Sequence, residues 1–176
     1  MKNLFLVCLF VLTISISSTA QIGGWDPEAV EKAEETKQTF LEKDPDLKAF
    51  FGEAYAYVIF PSIGKGGLAV GGAHGKGIMF RNDSPVGEAK MTQVTIGFQA
   101  GGQAYSEVIF FENEASYERF TASKYEFAAQ VSAVAATAGA SADVAYEDGV
   151  AVFTMAKGGL MYEASVGGQK FKYEDF

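Results

Sequence analysis

The 176 residues read as an α+β fold. The architecture expected is an antiparallel, strongly curved, glycine-rich β-sheet, sandwich- or barrel-like, with helices at the N-terminus and one in the middle. Three observations carry this reading. The apolar residues recur at helical spacing between residues 27 and 52, and from residue 54 the period drops to two. Seven of the 20 glycines fall between Phe60 and Phe80, inside a segment that is otherwise strand-like. Glycine in a strand marks a bend or a close backbone approach. No linker or shift in composition divides the chain, so one domain is expected over residues 21–176.

Asp26-Pro27 is a helix start, an acid at the cap followed by a proline whose missing N–H costs nothing there. Val30, Ala33, Phe40 and Leu41 then share one face. Asp44-Pro45 repeats the signal and opens a short helix with Leu47, Phe50 and Phe51, closed by Gly52. Residues 54–60 alternate as a strand that Pro61 is expected to end. Residues 90–100 and 105–111 are further strands, separated by Gly101-Gly102. Asn113 caps a helix whose Tyr117 and Phe120 share a face. Residues 131–146 are expected to be extended, with small residues at the even positions. Glu147-Asp148-Gly149 is a hairpin turn, and residues 150–156 and 160–166 complete the sheet. Lys-Gly-Gly-Leu occurs at 65–68 and again at 157–160, which suggests a recurring glycine turn.

Residues 1–20 have the pattern of a secretory signal peptide. Lys2 precedes an apolar run from Leu4 to Ile16, and Ser18-Thr19-Ala20 supplies the small residues a signal peptidase reads. The run is shorter than the ~20 residues a spanning helix needs. Cys8 lies within it, so residues 21–176 have no cysteine and no disulfide or thiolate chemistry. The protein is therefore expected to be exported, periplasmic or extracellular, and at most peripheral on a membrane. The formal charge of −8 becomes −9 without Lys2, which disfavours a nucleic-acid partner. Residues 61–103 alone are net positive, with Lys65, Lys76, Arg81 and Lys90 against Asp83 and Glu88.

Motifs for chemistry are weak. Glycine follows both Gly64-Lys65 and Gly75-Lys76, so neither is a nucleotide-binding P-loop. The segment after Gly64-Lys65-Gly66 does not suit the helix a dinucleotide fingerprint requires. His74, the only histidine, has no Asp or Glu within eight residues and reads as a hydrogen-bonded structural histidine rather than a base or metal ligand. A serine-nucleophile elbow is absent. Glu107 and Glu163 on strands leave a carboxylate-pair hydrolase as a third reading, behind two binding roles. No cofactor, metal or nucleotide is expected. Lys65, Lys76, Arg81, Lys157, Lys170 and Lys172 lie at or near glycine turns, where lysine and turn amides suit a phosphate group.

Residues 57–77, YVIFPSIGKGGLAVGGAHGKG, resemble the signature of the SYLF domain, also called the Ysc84 actin-binding or DUF500 family. Residues 157–171, KGGLMYEASVGGQKF, are similar to its closing motif. The resemblance implies a non-enzymatic lipid-binding domain of the bacterial cell envelope. The resemblance fixes no contact residues; charge alone selects Lys65, Lys76, Arg81, Lys157 and Lys170 as those expected to dock anionic phospholipid head groups. Actin, a partner of fungal members, does not suit an exported bacterial protein. The alternative is a structural or protein-interaction module of the envelope with incidental lipid affinity.

Overall fold

A computed structural model describes residues 26–68, 70–96, 102–122, 125–127, 133–157 and 166–176. The expected signal peptide and residues 160–165 of the strand expected at 160–166 lie outside them. In chain order the elements are α1 (Pro27–Lys43), α2 (Leu47–Glu53), β1 (Ala56–Leu68), β2 (Val70–Arg81), β3 (Ser84–Ile96), β4 (Gln103–Phe111), α3 (Glu114–Thr121), β5 (Tyr125–Glu126), β6 (Val134–Ala135), β7 (Val150–Ala156) and β8 (Lys170–Asp175). The strands form one curled sheet in the order β5-β8-β3-β2-β1-β4-β7-β6. This is the α+β architecture expected, with one difference: the two-residue β6 runs parallel to β7.

The outer face of the sheet is covered by the N-terminal helices. Asp26 caps α1 by accepting from the Glu28 N–H at 3.1 Å. The buried stripe of α1, Val30, Ala33 and Phe40, joins Leu47 and Phe51 of α2. They pack against Tyr57, Ile59, Ile78, Phe80, Val108, Phe110 and Phe153. Lys37 pins α1 to the β2–β3 turn by donating to Tyr57 Oη at 2.8 Å and to Asp83 Oδ1 at 2.6 Å. The inner face carries Val58, Phe60, Ile63, Met79, Met91, Ile109, Phe111 and Phe171, closed by Phe120 of α3. Asn113 and Ser116 form the capping box of α3.

Pro61 does not end β1. The register slips between Phe60 and Ile63, and the proline falls in this bulge, where a ladder N–H is not required. Its carbonyl accepts from Ser106 Oγ at 2.8 Å. The strand then continues through the glycines to pair with β2 as a long hairpin, Gly67 opposite Gly71 and Leu68 opposite Val70. Lys65 is thus a strand residue and not part of a turn. The glycines permit the tight curl: a Cβ at Gly77 would lie 2.7 Å from the Ile59 carbonyl oxygen and 2.7 Å from the Phe60 ring.

The extended reading of residues 131–146 holds only at Val134–Ala135 among the described residues. Beyond it the chain turns repeatedly, with Gly139 at φ 79°. The cause is Asp44, fully buried at the end of α1. Its carboxylate accepts from the Gly139 N–H at 3.2 Å and the Ser141 N–H at 2.9 Å. A charged acceptor aimed at these amides outcompetes a strand ladder.

Candidate functional site

Past the N-terminus of α1 the outer face of the sheet is open, and the register there sets basic residues side by side. Lys76 of β2 is directly opposite Lys90 of β3, and Lys90 is directly opposite Lys172 of β8. Paired residues share a face, so the three lysines form a ladder across three adjacent strands. One row further on, His74, Thr92 and Lys170 are paired in the same way. The result is a grid of two rows and three columns holding four lysines and a histidine. At about 4.8 Å between strands, the grid spans roughly 10 Å.

Like charges directly opposite destabilise a sheet. Carboxylates on the preceding row offset part of the repulsion. Glu88 lies 3.8 Å from Lys76 Nζ and 3.5 Å from Lys90 Nζ, and Glu174 lies 3.1 Å from Lys90 Nζ. The hydrogen bond with Glu174 is the main cause holding the Lys90 ammonium above its ordinary pKa. Lys170 pairs with Glu126 at 3.5 Å. Lys172 has no ion pair among the described residues. The ladder therefore keeps unneutralised positive charge on an exposed surface. It also borders a groove of about 790 Å³ between the first turns of α1 and the sheet, lined by Asp26, Glu28, Lys32, His74, Lys76 and Lys90 among others.

The five expected site residues are divided by the fold. Lys76 and Lys170 stand in the grid. Lys157, whose N–H donates to the Ala104 carbonyl at 2.8 Å, continues the His74 row three strands away. Lys65 is paired with Ala73 and Gln103, one position out of phase with His74, and so belongs to the inner face. It meets Lys157 and His74 only at a shallow depression of glycines at the sheet end. Arg81 ends β2, about 16 Å along the strand from Lys76. Its guanidinium lies 4.4 Å from the Tyr55 ring centre and 5.8 Å from that of Tyr117, a cation–π contact that ties β2 to α3.

The other candidates fare as follows. His74 is exposed and its imidazole makes no hydrogen bond among the described residues, so it is not the structural histidine expected. No group of three or more potential metal ligands occurs among those residues. Glu107 is fully buried on the inner face, and Glu163 lies outside the described residues. Sequence reasoning assigned no site role to Lys90 or to the pairing that joins it to Lys76 and Lys172. The strand expected at 90–100 included Lys90 and Thr92, but no strand was expected at 170–175, where β8 carries Lys170 and Lys172. Only the register shows that the strands are neighbours.

A family model, Ysc84, described as Las17-binding protein actin regulator, matches residues 92–175. Over this segment, just under half of its length, the chain is similar to that family. The match runs from Thr92 in β3 to the end of β8 and so includes Lys157, Lys170 and Lys172 of the basic face. Beta cell expansion factor A of Aeromonas veronii is 28% identical over 132 residues, which is 74% of this chain and 50% of that protein. The chain thus spans about half the length of the curated relative it matches. The Ysc84 description names a binding partner and not a reaction.

Proposed function

We propose that the chain is a non-enzymatic lipid-binding domain that docks anionic phospholipid head groups on the outer face of its sheet. The observation that carries this reading is the Lys76–Lys90–Lys172 ladder. It maintains repulsion that three acidic side chains would remove, and a surface that tolerates such repulsion is suited to an anionic partner. Lys170, Lys157 and His74 extend it. Val94, on the same face and 77% exposed, adds an apolar contact beside the charges. An apolar residue flanked by lysines suits the boundary between head groups and acyl chains. The leader-like residues 1–20 support an envelope location. Lys65 and Arg81 are secondary here, because neither faces the grid.

The acidic body limits affinity. Residues 21–54 carry nine acids against four bases, and exposed Glu31, Glu34 and Glu35 follow one another along α1. Binding should be modest and should weaken with salt, since exposed charges are screened beyond about 8 Å at physiological ionic strength. Those same acids favour the second reading, a docking surface for a basic protein partner in the envelope. Vesicle co-sedimentation tests the first reading: phosphatidylglycerol vesicles should retain the protein at low salt, and phosphatidylcholine vesicles should not. Equal binding to both would refute docking through the lysines.

A further inference from the structure

The inner face holds a contact that the docking reading does not use. Glu107 of β4 and Gln169, the residue before β8, are both fully buried. Gln169 Nε2 donates to Glu107 Oε2 at 2.9 Å and to the Tyr105 hydroxyl at 3.2 Å. In the sheet order, β8 and β4 are separated by β3, β2 and β1. The bond is therefore a chord across the curl and not a rung of the ladder. The turn it holds, residues 166–169, has further ties. Gln93 Nε2 of β3 donates to the Gly167 carbonyl at 2.9 Å, and the Phe127 N–H donates to the Gln169 carbonyl at 3.0 Å.

We propose that Glu107 and Gln169 form a clasp that closes the curled sheet and fixes β8 while Glu107 is uncharged, opening when Glu107 ionises. The surroundings of Glu107 suit a neutral acid. Its cross-strand neighbours are Phe60 on β1 and Thr154 on β7. Among the described residues its titratable neighbour is Tyr105, two residues along its own strand, and the 166–169 turn facing it contains no charged residue. No cation lies against it among the described residues. Burial pushes its carboxyl up to about 8. With Oε2 accepting from Gln169, the acidic proton sits on Oε1, which has no partner among the described residues. After ionisation, a single amide would face a buried carboxylate, where two or three donors are needed to hold the charge. Water drawn to the charge would part the 166–169 turn from β4. Lys170 and Lys172 follow that turn directly, so release loosens the third column of the grid. The link to docking rests on the lipid reading above; the clasp itself does not.

Amide hydrogen exchange on the full chain tests the clasp. Protection of the Phe171 and Tyr173 amides should fall at least ~10-fold between about pH 6.5 and about pH 9, after correction for intrinsic base catalysis. In Glu107→Gln, which keeps an acceptor for Gln169 and cannot ionise, the change should be no more than ~2-fold over the same range. In Gln169→Leu these amides should be weakly protected at both pH values. An unchanged protection in the wild type, or the same fall in Glu107→Gln, overturns the proposal. Should Glu107→Gln fail to fold, the wild-type Glu107 carboxyl followed by carbon NMR still decides. A midpoint near 8 supports the clasp, and one near the ordinary ~4.3 removes it. Binding to phosphatidylglycerol vesicles should weaken at the higher pH in the wild type and not in Glu107→Gln. No vesicle binding at either pH in either protein removes the docking link, and the exchange data then judge the clasp alone.

Discussion

Replacing Gly77 with alanine tests why this sheet is rich in glycine. The new Cβ would lie 2.7 Å from the Ile59 carbonyl oxygen and 2.7 and 2.9 Å from two carbons of the Phe60 ring. The ring belongs to a fully buried side chain, and the oxygen belongs to the adjacent strand, so neither can move freely. Overpacking of this kind costs about 1–3 kcal/mol, and a clash with backbone places Gly77→Ala toward the upper end. At roughly 2–4 °C per kcal/mol for a chain of this size, the melting temperature should fall by about 4–10 °C. Gly66→Ala is the control. It is also a strand glycine of the long hairpin, but a Cβ there meets nothing within 4 Å. It should be neutral or gain about 0.5 kcal/mol through reduced freedom of the unfolded chain. Differential scanning calorimetry of the two variants beside the wild type reads both effects. Equal melting temperatures for Gly77→Ala and the wild type, or a larger loss in Gly66→Ala, would refute the claim that glycines facing the bulge are what the curl requires.

Other outcomes follow from the same geometry. Asp44→Ala leaves the Gly139 and Ser141 amides without their buried acceptor and should cost about 3 kcal/mol in urea unfolding. For Glu107 the folded pKa, about 8, lies above the unfolded value, so its protonated form favours the folded state. That contribution is fully present below about pH 4.3 and is lost as pH rises toward 8, at up to about 1.4 kcal/mol per pH unit. Urea titrations at several pH values should show this slope in the wild type and not in Glu107→Gln. Arg81→Ala should loosen the contact with Tyr55 and Tyr117, lowering stability by about 1 kcal/mol by thermal melting while leaving vesicle binding unchanged.

Local chemistry was legible wherever a short segment decides it. Asp26-Pro27 begins α1, Asn113 caps α3, and Glu147-Asp148-Gly149 makes the turn into β7, with Asp148 and Gly149 at φ 51° and 77°. Pro61 misled because a proline in a strand reads as an end, and the bulge that accommodates it depends on the neighbouring strands. The alternating small residues after Val131 misled for a similar reason. The acceptor that folds them into turns, Asp44, is 95 and 97 residues away from Gly139 and Ser141. The basic face was half legible. Lys76 and Lys170 were recognisable as exposed lysines beside glycines, but the ladder through Lys90 exists only once β2, β3 and β8 are known to be neighbours. Glu107 was legible only as a strand carboxylate, since its partner is a glutamine 62 residues away, across the curl.

The central claim is that the outer-face lysines dock the domain on anionic lipid. Its most direct test compares Lys76→Ala/Lys90→Ala/Lys172→Ala with Lys65→Ala/Arg81→Ala in co-sedimentation with phosphatidylglycerol vesicles. Each neutralised contact near an anionic surface should remove about 1 kcal/mol. The triple variant should therefore lose roughly 100-fold in affinity, while the pair facing away from the grid should bind nearly as the wild type does. Undiminished binding by the triple variant, or a greater loss in the Lys65/Arg81 pair, would contradict the account.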